Sequence, residues 1–194
     1  MSYLLCTMTT INKLKSTPPW CSSFDLSVPR LGLSVGLTAC AANNCLYASA
    51  FFSDHVHRVQ LSGSSAVMKW SVRHWPAGLT LNVDTNVLVV IIGGGKLKQF
   101  TTHGNLLQTI QLQQDIQFPT GVIQLFSSQF LISHVATLNR LSLLDYKGAV
   151  VRSFGGAVGS DLTKMNWPAD LPVNKHLRHT CRWWEQQTTD DVES

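Results

Sequence analysis

From Leu31 onward, short runs of apolar residues alternate with clusters of Gly, Asn, Ser and Asp. The runs are rich in leucine and β-branched residues and lack the 3.6-residue period of an amphipathic helix. Apolar runs of about four to seven residues bounded by turn-forming residues are typical of β-strands. The pattern predicts an all-β chain from residue 31, preceded by an irregular leader at residues 1–30 that Pro18, Pro19 and Pro29 interrupt.

The predicted strands recur in repeating units. The segment Trp-Pro-Ala-Gly-Leu at 75–79 returns as Phe-Pro-Thr-Gly-Val at 118–122 and as Trp-Pro-Ala-Asp-Leu at 167–171. An apolar run, a basic residue with apolar followers, a turn glycine and a last apolar strand come next in the same order. Four strands in about 40–50 residues is the size of one propeller blade. Residues 31–173 are therefore predicted to form an incomplete β-propeller of about three four-stranded antiparallel blades, with an ordinary β-sandwich as the alternative.

The order of these segments resembles that of NHL-repeat proteins. The resemblance rests on the Trp-Pro-x-Gly-Leu motif, Lys-Leu-Lys-Gln-Phe at 96–100, Leu-Leu-Gln-Thr-Ile at 106–110, and Val-Val-Arg-Ser-Phe-Gly-Gly at 150–156. The resemblance implies a propeller, which has six blades as a rule. In some members the propeller is the C-terminal domain of a tripartite-motif ubiquitin ligase, where it binds protein or RNA. This chain has about three blades, lacks the RING and B-box clusters, and keeps the family's Asp-x-x-Asn-x-Arg signature only in part, at 54–58 and 139–140.

A fourth unit begins at Trp167-Pro168, but the strand pattern is lost after Asn174. Residues 174–194 are expected to form a disordered or aberrant tail. Shifting the reading frame by one base across Trp183-Trp184 would encode Gly-Gly followed by Asn or Ser twice and Lys or Arg, and the preceding codons permit the apolar run of a blade strand. We interpret the tail as a frameshifted or mis-spliced remnant of a further blade, with a genuine disordered tail as the alternative; the coding sequence tests this hypothesis.

Composition limits the function classes. Apolar residues make up 44% of the chain and charged residues 13%, which suits a folded domain. The net charge of +4 comes without a Lys/Arg run, so it permits an acidic partner but does not require one. Five widely spaced cysteines without a C-x-x-C pair argue against a disulfide framework or zinc site. No apolar run is long enough for a membrane span and no signal-peptide pattern is present, so a cytoplasmic protein with no membrane contact is expected.

Basic residues supply the candidate binding site. Arg58, Lys96 and Arg140 each precede an apolar residue, at what is predicted to be one blade position. In a ring they would share a face and form a basic track suited to RNA phosphates. The track could be extended by three further residues: Lys69, Lys98 and Arg152. The alternative is that these side chains cap blade loops or pair with nearby Asp.

Histidines and tryptophans give two weaker candidates. His55 and His57 would face one side of a strand and, with His103 or His134, could hold zinc. Surface histidines are the preferred interpretation, so no metal is predicted. An aromatic binding surface could form from three residues, although packing between blades is the preferred interpretation for them: Trp70, Trp75 and Trp167.

Catalytic motifs are missing from the sequence. Ser127-Ser128 and Ser160 lack a G-x-S-x-G context, and the glycine run at 93–95 before Lys96 lacks P-loop spacing. The chain is therefore expected not to be an enzyme and to need no cofactor. We predict a non-catalytic scaffold that binds an unidentified protein or RNA through one propeller face, and that self-associates through exposed blade edges. The alternatives are a zinc-dependent enzyme resembling amidating lyases, or a truncated fragment without independent function.

Overall fold

The computed structural model describes residues 34–61, 67–125, 128–135 and 139–156, which form twelve β-strands in three antiparallel sheets. Blade A contains β1 (Ser34–Cys40), β2 (Cys45–Ala50), β3 (His55–Gln60) and β4 (Val67–Ser71). Blade B contains β5 (Pro76–Leu81), β6 (Val87–Ile91), β7 (Lys96–Phe100) and β8 (Leu106–Gln111). Blade C contains β9 (Pro119–Gln124), β10 (Phe130–His134), β11 (Arg140–Leu144) and β12 (Val150–Gly155). The predicted leader at 1–30, the third copy of the motif at 167–171 and the tail at 174–194 lie outside the described residues.

The predicted fold class is confirmed. In each blade the four strands pair in chain order, and the first strands of successive blades contact one another, β1 with β5 and β5 with β9. Four-stranded sheets that touch through their first strands are the arrangement of an incomplete β-propeller. Within the described residues, no helix is long and apolar enough to cross a bilayer. The cytoplasmic location stays a prediction.

Two hydrophobic cores lie between the blades. Strand β6 contributes to both of these cores, and all five of its residues are buried. Val87, Val89 and Ile91 belong to the core between blades A and B, whereas Leu88 and Val90 belong to the core between blades B and C. Successive side chains of a strand point to opposite faces of a sheet. The uninterrupted apolar run of this strand therefore reflects a sheet that is covered on both sides.

The glycine of the repeated motif lets the first strands approach closely. A Cβ atom added to Gly78 would lie 2.1 Å from the carbonyl oxygen of Thr120. One added to Gly36 of β1 would lie 2.8 Å from the backbone nitrogen of Leu79. Both neighbours are backbone atoms, which cannot move aside as a side chain can. Glycine at this motif position therefore serves inter-blade contact, while the predicted turn glycines Gly104 and Gly148 do adopt positive φ angles of 86° and 89°.

Candidate functional site

The inter-blade linkers and the turns between second and third strands lie at one end of the blades, which we call the linker end. Cross-strand pairing defines it. In blade B one row of partners contains Pro76, Ile91, Lys96 and Gln111. In blade C the matching row contains Pro119, His134, Arg140 and Gly155. The turns between first and second strands and between third and fourth strands lie at the opposite end.

Lys96 and Arg140 occupy the same position at the linker end, but Arg58 does not. The residue of blade A at this position is His55, which pairs with Ala50 just as Lys96 pairs with Ile91. Arg58 lies three residues further along β3. The prediction that the three basic residues share one blade position is therefore wrong. A basic residue followed by an apolar one does not reveal how a strand is aligned with its neighbours. Only the pairing of the strands shows that register.

Arg58 lies between blades A and B. It pairs across the ladder with Tyr47, and paired side chains lie on the same side of a sheet. Tyr47 is part of the core between these two blades, so Arg58 points toward that core and is half-buried. Its pKa is raised, chiefly by its interaction with the Cys45 side chain and against the effect of burial. The Arg58 Nε atom is buried without a hydrogen-bond partner. A role of Arg58 in ligand binding stays a prediction.

Lys98 lies in the middle of β7 and holds the linker between blades A and B. Its Nζ atom donates a hydrogen bond of 2.6 Å to the carbonyl oxygen of Val72. Burial lowers the Lys98 pKa, and the neighbouring charges of Lys96 and Arg73 lower it further. This contact agrees with the alternative interpretation, in which the basic residues cap blade loops. A binding role for this residue also stays a prediction.

The two described linkers turn their last residue outward with unusual backbone conformations. Trp75 has a φ angle of 55° and Phe118 one of 45°, a region that bulky residues rarely enter. The carboxylate of Asp54 accepts a 2.9 Å hydrogen bond from the Trp75 N–H. The Trp75 carbonyl accepts one from Ile92, and the Phe118 carbonyl accepts the equivalent bond from Val135. The strain of about 1–3 kcal/mol per residue persists because these bonds hold the linkers in place.

Aromatic side chains are consequently exposed at the linker end. Trp75 is 53% exposed and Phe118 is 57% exposed, and Phe52 of the adjacent turn is 75% exposed. The rings of Phe51 and Trp75 stack with centroids 6.3 Å apart. The preference for Trp75 as a blade-packing residue is therefore wrong, since its linker position turns it to solvent.

Trp70, by contrast, packs between blades as predicted. Its ring lies 6.1 Å from that of Tyr47 and 6.2 Å from that of Phe100, centroid to centroid. Trp70 is on β4, where alternation points it toward blade B. Trp167 lies outside the described residues.

A cleft of about 330 Å³ opens beside the second linker. Its walls are the turn at Ile92, Gly94 and Gly95 and the linker residues around Phe118. Gln111 fastens the two walls, because its amide donates hydrogen bonds of 2.8 and 2.9 Å to the carbonyls of Gly94 and Gly95. The remaining polar side chains of the cleft are the exposed amides of Gln113, Gln114 and Gln117.

The candidate zinc ligands are not assembled. His55 and His57 do face one side of β3, with ring centroids 6.4 Å apart. His103 lies in a hairpin turn at the opposite end of blade B, and His134 is buried in blade C, where its Nε2 lies 2.9 Å from the Ser142 Oγ. Among the residues that the structure describes, no three potential ligands cluster. His57 is only 5% exposed, so its interpretation as a surface histidine is wrong.

Similarity to known proteins is confined to the fold. No protein-family model and no curated protein matches the chain. A catalytically inactive virginiamycin B lyase from Staphylococcus aureus, crystallised with quinupristin, superposes with a TM-score of 0.60 at 12% identity, over 76% of this chain and 50% of that one. The periplasmic gluconolactonase of Pseudomonas aeruginosa gives 0.54 at 14% identity, over 71% and 44%. A protein of unknown function from Bacteroides caccae gives 0.54 at 13% identity, over 74% and 54%.

These neighbours place the chain in the class of propeller-like proteins, and it spans about half of their length. Membership of the NHL-repeat family stays a prediction. The expectation that the chain is not an enzyme is contradicted, because a lyase, a gluconolactonase and a putative 6-phosphogluconolactonase from Bacteroides uniformis are among the neighbours. Missing sequence motifs were a poor basis for that expectation, since sites on such folds assemble from distant loops.

Proposed function

We propose that the chain binds single-stranded RNA through its linker end. The observation that carries this proposal is the exposure of Trp75 and Phe118 at equivalent positions of successive linkers. Unpaired bases stack on exposed aromatic rings, with a contribution of about 1–3 kcal/mol per base. Two outward-turned rings on neighbouring blades offer two such stacking positions.

The charges around these rings suit a polyanion. Arg73 belongs to the first linker and is exposed, and Lys96 and Arg140 start the third strands of blades B and C. The carboxylate of Asp54, in the turn between β2 and β3, accepts the Trp75 N–H. Each Lys or Arg that neutralises a phosphate releases a counterion, which makes binding depend on salt.

Fluorescence anisotropy with a labelled single-stranded oligoribonucleotide tests the proposal. We expect Lys96→Ala and Arg140→Ala each to weaken binding and to reduce the slope of log K against log salt by about one. Trp75→Ala should weaken binding about tenfold without changing that slope, because stacking involves no counterion. Lys147→Ala is the matched control, since Lys147 is exposed in a hairpin turn of blade C.

The competing ligand is an acidic segment of a partner protein. It would depend on the same cations but not on base stacking, so an acidic peptide should then bind more tightly than the oligoribonucleotide. The proposal is overturned if the chain does not bind RNA, or if RNA binding responds neither to salt nor to Trp75→Ala. The same titrations with Arg58→Ala and Lys98→Ala test the predicted binding roles of those two residues.

A further inference from the structure

Two cysteines face each other across the first hairpin of blade A. Cys40, the last residue of β1, is the direct cross-strand partner of Cys45, the first residue of β2. Both side chains belong to the core between blades A and B, so they project from the same side of the sheet. Both thiols are free in the structure.

The hairpin geometry is compatible with a bond between the two sulfurs. Direct partners in an antiparallel ladder have Cα atoms about 4.5 or 5.5 Å apart, and both values lie within the roughly 4.4–6.8 Å range of disulfides. Their Cβ atoms are typically about 4.5–5.5 Å apart, whereas a disulfide needs about 3.5–4.5 Å. Closing the bond therefore requires a contraction of at most an ångström or so across a short turn. The C-x₄-C spacing alone did not indicate this, because it does not reveal the register.

Two buried polar groups lie beside the Cys45 thiol. The Tyr47 hydroxyl and the Arg58 Nε atom are both buried and lack hydrogen bonds, and Tyr47 is fully buried. Tyr47 and Arg58 each interact with the Cys45 side chain, and for Arg58 this is the main reason why its pKa is raised. On the other sulfur, the Asn43 amide donates a 3.4 Å hydrogen bond to Cys40 Sγ. The Arg58 guanidinium is thus a cationic group beside the Cys45 thiol.

We propose that Cys40 and Cys45 are a redox-active pair that closes into a cross-strand disulfide. The oxidant is a small-molecule disulfide such as oxidised glutathione. One cysteine thiolate attacks a glutathione sulfur, the glutathione S–S bond breaks, and one reduced glutathione leaves. The second thiolate then attacks the mixed disulfide, the protein S–S bond forms, and a second reduced glutathione leaves. The two cysteines lose two protons and two electrons in total, and glutathione disulfide gains them.

Access to the pair is through the turn at residues 41–44. Cys45 is fully buried and Cys40 is 3% exposed, but Ala41 and Ala42 next to Cys40 are exposed. Asn44 next to Cys45 is exposed as well, so opening of this turn uncovers both thiols and either of them can attack first. Local opening of a hairpin end needs far less free energy than global unfolding.

Mass spectrometry of the folded chain tests the pair. The remaining cysteines, Cys6, Cys21 and Cys181, lie outside the described residues and are changed to Ser in the test background. After incubation with oxidised glutathione in buffer without denaturant, we expect the mass to fall by two hydrogen atoms and one peptide to link positions 40 and 45. Dithiothreitol should restore the reduced mass.

Two variants trap the mixed-disulfide intermediate. Cys45→Ser and Cys40→Ser should each stop at a single glutathione adduct on the cysteine that remains. Stable addition of two glutathiones to the parent, or a disulfide that forms only in urea, overturns the proposal. Peptide mapping of the chain with all five cysteines is the second measurement: a disulfide from Cys40 or Cys45 to any other cysteine also overturns it.

Discussion

Individual residues show how burial changes the chemistry of a side chain. His57 and His134 are both buried, and the pKa of each lies below the usual value of 6.5, chiefly because burial disfavours the charged ring. His55 and Lys69 lower the pKa of His57 further. At His134, Asp115 opposes the decrease and Arg140 adds to it. Both histidines are therefore neutral in the folded protein at pH values where an unfolded chain would already bind protons.

The stability of the fold should decrease as the pH falls below about 6.5. In that range these two histidines bind protons in the unfolded state but not in the folded state. Each histidine can therefore lower the free energy of unfolding by at most about 1.4 kcal/mol per pH unit, until the pH reaches its lower folded pKa. Urea unfolding midpoints between about pH 7.5 and pH 5.5 measure the slope. We expect His57→Leu to flatten it in part, with His134 responsible for the rest.

His103→Leu is the control for this change, because His103 is exposed in a turn. It should leave the acid dependence intact. An acid slope in His57→Leu equal to that of the parent would show that His57 does not couple protonation to folding.

At the scale of the strands, the first strands of neighbouring blades contact one another at glycines, where there is no room for a side chain. The first strands of the blades meet at Gly36 and Gly78, where backbone of the neighbouring strand occupies the space of a Cβ atom. The linkers depend on equally local bonds, since Asp54 holds the Trp75 N–H by its carboxylate and the Val72 N–H by its carbonyl. Inter-blade geometry thus depends on a few backbone contacts as well as on the two cores.

Gly78→Ala should therefore destabilise the protein by about 3 kcal/mol or more, because an overpacked site can relax only by moving backbone. Gly94→Ala is the matched control. Gly94 has a φ angle of 88°, but its Cβ atom would meet only the flexible end of Lys96 at 3.8 Å. The cost there should be the strain of a left-handed residue, about 1–2 kcal/mol.

Urea unfolding of both variants measures the difference between crowding and backbone strain. A smaller loss for Gly78→Ala than for Gly94→Ala would contradict the close approach of β5 and β9. Equal slopes of the unfolding transitions are needed for the comparison, since they show that the unfolded states are alike.

The described residues form an arc of three blades. The chain spans about half of the propeller-like proteins that it resembles, and the outermost strands of its blades carry exposed apolar residues. These include Met68 on β4, Leu106 and Leu107 on β8, and Val151 on β12. Exposed apolar edge strands are templates for pairing with another chain. Self-association through blade edges stays a prediction.

Leu107→Lys tests it on β8, the edge strand that carries two of these residues. Leu107 is 52% exposed on β8, and lysine on an edge strand opposes pairing by its charge. We expect the mass of the parent in sedimentation experiments to rise with concentration, and that of Leu107→Lys to remain closer to a monomer. Val83→Lys adds the same charge in a turn of blade B, at a residue that is 74% exposed, and should behave like the parent. A parent mass that does not change with concentration would contradict edge pairing.

Much of the architecture was determined by the sequence alone. The apolar runs at Val87–Ile91 and Leu106–Gln111, and the glycines that close the hairpins, are local signals, because a strand's burial and a turn's φ angle act over a few residues. The recurrence of these signals in one order was enough to predict blades and their number in the described range.

Only the tertiary structure decided which side chains meet. The sequence pattern puts Arg58 at the position that His55 occupies, predicts that Trp75 packs between blades, and does not indicate the pairing of Cys40 with Cys45. Each of these facts depends on the register of a ladder or on a contact with the next blade, about forty residues away along the chain. A shift of one residue reverses the face of a strand, and no local pattern in this sequence specifies that shift.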